Sequence, residues 1–510
     1  METLTPPARA AALPDGSAAP APPGRPGRLP ARTTELPNHR TPETRKAYAM
    51  PASAQTVTAE PVTETPPSPW RRRLGTAAMV VALAVALTAG AIAIGGSGEP
   101  MGATHVVNAA DAPLAQMANA DIADIIAALQ THLRAEPKDA ANWATLGAAY
   151  VDQARTNGDP TRYPQAEEAF DRSMTIQRKD NDAALAGRAA LAAARHDFPT
   201  ALRNADLALA VNPYSQQALA VRIDALVELG RYDDAYAAAK HADDLKPGIP
   251  IFTRYAYVLE LRGDTVGARR VLERALGSAV SPGDIAYVTT ALGQLAWTQG
   301  QYATAMQRFN AALKSSPSYI PALDGRGRTY AAQGDLDDAA KDLAEVVRRY
   351  PLPSQLAALG EVYEAKGDRK RALQQYRVVT TWIELARANG VATDLDTALV
   401  AADHGDREEA LNAARAEWQR RHSVHTADAL AWALHVNGHD REALGYAKAA
   451  AAPGYRNALF MYHRGMIERA LGDRTAARAS LSAALKLNPG FSPTSSRTAK
   501  SALAALDSAK

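Results

Sequence analysis

The chain has 510 residues, with 57 Lys and Arg against 54 Asp and Glu, for a net charge of +3 with neutral histidines. So small a charge on so long a chain leaves no electrostatic footprint for nucleic acid or an acidic polymer. There is no cysteine, which excludes disulfides, thiolate nucleophiles, iron–sulfur clusters and cysteine zinc sites together, and makes the chain indifferent to an oxidising compartment.

Residues 1–69 are rich in Pro, Ala, Thr and Arg and poor in large apolar side chains. No core can offset the entropy of ordering them, so a disordered tail with local polyproline II character is expected. From Leu74 to Ser97 no side chain carries charge. The span 74–96 is long and apolar enough to be read as a transmembrane helix, with Trp70 as interfacial anchor. Arg71, Arg72 and Arg73 flank its N-terminal side, while its C-terminal side has only Glu99 and Asp111 nearby. The positive-inside rule then puts the tail in the cytoplasm and all that follows outside a bacterial cell membrane. The alternative is secretion after cleavage of a signal peptide near Thr88-Ala89-Gly90-Ala91. Residues 97–112 form a Gly/Pro/Asn spacer. Over 113–136, Ile122, Ile125, Ile126, Leu129 and Leu133 make one apolar helical stripe, fit to cap the end of a larger helical array.

A repeat begins at Trp143. Trp143-Ala-Thr-Leu146-Gly147-Ala-Ala-Tyr150, with Ala166 and Phe170 following, has the W-x2-L-G-x2-Y…A-x3-F form of one helix–turn–helix unit. Pro213 and Pro247 stand 34 residues apart, as do Pro317 and Pro351. About ten units in register fill residues 137–490. Nine of the first helices, A, carry a small residue at this position: Gly147, Ala189, Ala256, Gly293, Gly327, Gly360, Ala398, Ala431 and Gly465. Each second helix, B, opens with an alanine, among them Ala166, Ala305 and Ala477. The small positions let antiparallel helices approach, and the large ones fill the gap between them. Gly-based turns such as Gly263-Asp264 and Gly472-Asp473 join the helices. Three places break register. Arg155–Arg162 is an insert in unit 1, Arg188 replaces the usual Leu in unit 2, and helix B of unit 7 runs long near Trp382, after which units 8 and 9 lack a terminal Pro. Residues 491–510 supply a final capping helix with a partly polar face.

These residues resemble the tetratricopeptide repeat family over about 140–490. The resemblance implies an all-α solenoid, a right-handed superhelix of helix–turn–helix repeats, with a concave groove lined mainly by A helices that binds peptide or protein segments. Chaperone-binding members clamp a carboxylate with Lys and Asn. The matching positions here are Ala144, Ala148, Ala186 and Ala190, so that ligand is not expected. The opening around Leu133–Asp139 and Trp143 is also similar to the repeats of bacterial cytochrome c assembly factors.

Groove-facing positions on helix A would be Asp224, Tyr257, Glu260, Tyr287, Gln294, Trp297, Arg328, Glu361, Glu364, Asp428, Trp432 and His435. Exposed Trp and Tyr would serve as anchors, and the acids would favour a basic or polar partner. Trp297 and Trp432 could equally pack on a neighbouring helix. No catalytic pattern is present. His422, His425, His435 and His439 lack acids at metal-ligand spacing, and Gly325-Arg-Gly327 lies inside a helical pattern with no preceding strand, so neither a metal nor a cofactor is expected. The expected function is therefore a non-enzymatic scaffold that holds protein segments outside the membrane. A self-associating structural module of the envelope, or an assembly factor like the cytochrome c proteins, is the alternative.

Overall fold

The computed structural model of this chain describes residues 122–508. The tail, the apolar span 74–96, the spacer and the first residues of the expected capping helix lie outside the described residues. No helix among the described residues is long and apolar enough to cross a membrane.

The described residues contain 22 α-helices and no strand. Helix α1 (Ile122–Ala135) packs Ile125, Ile126, Leu129 and Leu133 onto the array as a cap. Ten A–B pairs follow. They are α2 (Ala140–Asn157) with α3 (Tyr163–Ile176), α4 (Asp182–Ala194) with α5 (Phe198–Val211), and α6 (Gln216–Glu228) with α7 (Tyr232–Leu245). Next come α8 (Ile249–Leu261) with α9 (Thr265–Ser278), α10 (Pro282–Thr298) with α11 (Tyr302–Ser315), and α12 (Ile320–Gln333) with α13 (Leu336–Arg349). The last four are α14 (Pro353–Ala365) with α15 (Arg369–Ala388), α16 (Asp394–His404) with α17 (Arg407–Arg420), α18 (Val424–Val436) with α19 (Asp440–Ala449), and α20 (Ala458–Ala470) with α21 (Arg474–Leu487). A final helix, α22 (Ser495–Ser508), closes the chain.

Local chemistry sets these boundaries. The Asp carboxylates at 197, 264, 368, 406 and 473 each accept a backbone N–H in the first turn of a B helix, satisfying donors that have no partner within the helix. Between helices the core is built by wedging. Phe170 of α3 is fully buried between Gly147 of α2 and Gly187 of α4, and Phe309 of α11 is fully buried between Gly293 of α10 and Gly325 of α12. A Cβ at Gly147 or Gly293 would come 2.6 or 2.7 Å from the ring, closer than side chains tolerate, so only glycine lets these helices close on the aromatic wedge. Gly187 and Gly325 form a second small position, two residues before the one legible in the repeat. Gly325 and Gly327 thus accommodate Phe309 on one side and Leu343 on the other.

The ribbon of helices also touches itself. The A–B turn of each of units 1 to 5 meets the loop that follows the unit five places later. Tyr350 donates from its hydroxyl to the Arg155 carbonyl at 2.7 Å. Ala392 N–H donates to the Arg195 carbonyl at 3.1 Å, and His196 Nδ1 lies 2.8 Å from the Ala392 carbonyl. Arg421 pairs with Glu228, and the Val424 N–H donates to the Tyr232 hydroxyl at 2.7 Å. Gly263 lies against Gly454. Asn488 Nδ2 donates to the Trp297 carbonyl at 2.8 Å, and Gly490 N–H to the Tyr302 hydroxyl at 2.8 Å.

Most of the irregular features of the sequence lie along this seam. The unit 1 insert becomes a short 3₁₀ turn, Pro160–Arg162, next to the Arg155 contact. Helix α15 is 20 residues long, and its extra turns place Trp382, Ile383 and Ala386 in one apolar cluster with Ile125, Leu146, Tyr150 and Tyr163. The loops after units 8 and 9, without a Pro at the expected register, supply Arg421 and Gly454; the second carries Pro453 in a looser turn. Arg188 is different: it makes an exposed ion pair with Asp171, of little energetic weight.

Candidate functional site: the inner face

The residues expected to line a groove lie on A helices, and their side chains are largely bonded from one A helix to the next. Arg254 of α8 donates to Asp224 of α6 at 2.9 Å, both buried. Tyr287 of α10 donates to Thr253 of α8 at 3.2 Å, and Thr298 of α10 donates to Glu260 of α8 at 3.0 Å. Arg328 of α12 is paired with Asp324 at 3.0 Å and donates to the Ser354 carbonyl of α14 at 3.1 Å. Trp432 of α18 donates from Nε1 to Asp403 of α16 at 2.7 Å. His463 of α20 sits 2.9 Å from Asp428 of α18, with its ring stacked on Trp432 at 4.2 Å. Apart from Arg328 with Asp324, which lie on one helix, each of these contacts ties one A helix to the next.

Two further positions reach across the seam. Tyr257 of α8 shares a hydrogen bond of 2.9 Å with His425 Nε2 of α18. Ser492 donates to Glu361 of α14 at 2.9 Å. His435 is bonded to Asp440 within its own unit. Asp224, Asp428 and Trp432, expected on an open groove, are only 8%, 1% and 8% exposed; the expectation of accessible positions is corrected for them, because a neighbouring A helix covers them. Of the twelve residues, Glu364 is exposed and Gln294 is half-buried on α10. Trp297 is half-buried beside Phe309, and its indole N–H has no partner among the described residues. One carboxylate oxygen of Asp324, on the next A helix, is likewise without a partner there.

Burial dominates the electrostatics. It pushes the carboxyl of Asp224 up to about 7, with Arg254 opposing the shift. Burial also raises Glu260 and Glu361 to about 7, opposed by the hydroxyls of Thr298 and Ser492. The acids at 260 and 361 are thus internal bonding partners for hydroxyls more than a field for a basic ligand. His425 is lowered to about 4 by burial and then by Arg421. His196 is lowered to about 4 for the same two causes, against the bond to the Ala392 carbonyl. His196 was not singled out from the sequence. Its signal was its position: it stands in the unit 2 turn where other units place Gly, at φ 62°, against φ 74° for Gly230.

Arg421 is also unexpected. It is 2% exposed, ion-paired with Glu228 and Glu417, and its guanidinium lies 4.8 Å from the Phe198 ring centroid. No group of three or more His, Asp or Glu among the described residues could hold a metal ion.

Tetratricopeptide repeat models match residues 255–320, 296–361 and 458–491. A comparison with curated protein sequences finds no match. Among solved structures, the chain is similar to the APC/C hetero-tetramer Cut9-Hcn1, at 14% identity and a TM-score of 0.38, over 77% of this chain and 82% of that one. It is also similar to PilW, a type IV pilus biogenesis factor, at 21% identity and a TM-score of 0.34, over 41% of this chain and 97% of that one. A third is a tetratricopeptide repeat protein from Parabacteroides merdae, at 18% identity and a TM-score of 0.31, over 51% of this chain and 98% of that one. With its family models and its paired helices, this chain carries tetratricopeptide repeats at 255–361 and 458–491, and its described helices form an all-α solenoid of helix pairs.

Proposed function

We propose that this chain is a non-enzymatic scaffold that holds a peptide or protein segment on its inner face, displayed outside a bacterial cell membrane by the apolar span 74–96. Tetratricopeptide solenoids typically serve as protein-interaction scaffolds. The observation that carries the reading is the match of tetratricopeptide repeat models to 255–361 and 458–491 on a solenoid of ten helix pairs, with Glu364 exposed and Gln294 half-buried among the expected groove residues. The anchoring part of the proposal rests on the uncharged run 74–97 and the flanking arginines 71–73.

The test is photo-crosslinking from position 294 or 297 of the full chain in native membranes, read by mass spectrometry. A discrete adduct with another protein supports the reading. Adducts only between copies of this chain would replace it with self-association, and no adduct at either position would overturn it.

A further inference from the structure

The seam between successive superhelical turns is not uniform. At its N-terminal end it is apolar: Tyr350, Leu352, Trp382, Ile383 and Val391 share one buried cluster with residues of α1, α2, α3 and α4. Towards the C-terminus, units 8 to 10 rest on units 3 to 5 mainly through single polar contacts. These are Arg421 with Glu228, Val424 with Tyr232, His425 with Tyr257, Asn488 with Trp297 and Gly490 with Tyr302, and Ser492 adds one to Glu361 of unit 7. Val424, Tyr455 and Phe460 provide the apolar part of this face.

The apolar stretch ends at the loop 389–393, whose Val391 is buried in that cluster and whose Ala392 is bonded to the Arg195 carbonyl. Helices α15 and α16, which it joins, make the sparsest contact of any consecutive helices in the array. Gly390 in this loop has φ 79°, a conformation that glycine enters and leaves without steric cost.

We propose that units 8 to 10 with α22 form a lid that swings about residues 389–393, with the polar stretch of the seam as its clasp. The apolar stretch holds the N-terminal units shut on α15, while the clasp releases as one body. Three properties support this division. Interfaces between adjacent repeats carry most of a solenoid's stability, so each body keeps its own structure when the seam parts. A hydrogen bond exchanged for water costs only about 0.5–1.5 kcal/mol net, so a polar clasp opens at far lower free energy than the buried cluster around Trp382. Arg421, Glu228 and Glu417 form a buried ionic knot in this stretch of the seam, and such a knot defines register more than it adds stability. In the closed state Tyr257 and Glu361 of the inner face are occupied by His425 and Ser492; opening frees them. That the freed face then takes a partner rests on the groove reading above, whereas the opening itself does not.

Amide exchange of the full chain tests the lid. The Val424 and Gly490 N–H groups, each bonded to a seam tyrosine, should exchange at one shared rate that is faster than that of the amides inside α18. Tyr232→Phe, which removes a hydroxyl without touching Arg421, should speed exchange at Gly490 as well as at Val424, by about 2–10-fold, the worth of one hydrogen bond. Tyr302→Phe, which removes a hydroxyl that accepts from Gly490 and donates to Asn488, should speed both amides more than Tyr232→Phe does. Because the chain has no native cysteine, Gln294→Cys provides one thiol at an expected groove position, and its maleimide labelling should rise in each tyrosine variant by the factor seen at the amides. Acceleration confined to the amide next to each substitution, or unchanged labelling in both variants, would overturn the lid. A shared exchange rate without crosslinked partners at position 294 would leave the lid standing and remove the groove reading; crosslinks without the shared rate would do the opposite.

Discussion

Gly293→Ala is the smallest perturbation that separates packing from helix propensity in this array. The added methyl carbon would lie 2.7 Å from Cε1, 2.9 Å from Cδ1 and 3.1 Å from Cζ of Phe309, where ordinary contact starts near 3.4 Å. The ring has little room to move, because the same atoms, Cε1, Cζ and Cδ1, already lie where a Cβ at Gly325 would fall. Helices α10 and α11 must therefore part by about half an ångström, and overpacking of this kind costs about 1–3 kcal/mol. Alanine in a helix interior returns about 1 kcal/mol relative to glycine. The substitution should be mildly to moderately destabilising in the native background. With Phe309→Ala, itself worth a loss of about 3–5 kcal/mol, the clash disappears and the same substitution should stabilise by about 1 kcal/mol. The double-mutant cycle then yields a coupling of about 1–3 kcal/mol between residues 293 and 309. Urea unfolding followed by two probes measures it. Amide exchange within α10–α12 gives the local value, since a repeat array need not unfold in one step. A stabilising Gly293→Ala with the native Phe309, or equal effects in both backgrounds, would refute the wedge.

Other predictions follow from the inner face and the seam. Glu361 titrates near 7 when folded against an ordinary 4.5. It binds more protons folded than unfolded, so its contribution is fully present below about pH 4.5 and is lost as pH rises through 7, on the order of 1–3 kcal/mol. Glu361→Gln should therefore gain on the native chain in urea midpoint between pH 5 and 8; a pH-independent difference would count against the burial. His425 has the opposite sign. With a folded value of about 4 against 6.5, its contribution is present above pH 6.5 and fades as pH falls through 4. His425→Gln should flatten the acid limb of the stability profile, and an unchanged acid limb would refute it. Asp428→Ala strands His463, and breaking a buried polar pair of this kind should cost about 3–5 kcal/mol. Adding His463→Phe should recover much of that loss in thermal unfolding, and failure to recover would assign the loss to packing alone. Trp382→Ala should cost about 3–5 kcal/mol and loosen α1–α3, more than 200 residues away in sequence; protection of those amides from exchange, if unchanged, would show that the seam carries no load there.

The helix pairs were legible because their signals are local. A glycine turn, a capping aspartate and an apolar stripe of period 3.6 each report on a few neighbouring residues, and the positions of Gly147, Gly293 and Asp264 already imply α2, α10 and α9. The inner face was legible as a surface but not in its state. Asp224, Tyr287 and Trp432 do lie on A helices, yet each is bonded to a neighbouring A helix, and that depends on the angle between units rather than on either unit's sequence. The seam was least legible. It depends on small rotations summed over five units, so no window of the sequence contains it. Its traces were present nonetheless: the insert at 155–162, the overlong α15 and the loops at 421 and 454 were visible as irregularities before their partners were known. Arg188 shows the limit of that logic, since it breaks the pattern equally and only makes an exposed ion pair.

The offset of five units along the seam fixes the spacing of the units it ties together. An open solenoid can gain or lose a repeat internally, because every unit sees only its neighbours. Here, one unit inserted between units 3 and 8 would bring the turn at Gly230 against a loop without Arg421, and would take Arg421 away from Glu228. Duplication and deletion of repeats, the ordinary route by which such arrays change length, are closed to this stretch of the chain. Growth remains open only at the ends, beyond α1 and α22, where no turn yet has a loop five units away to match.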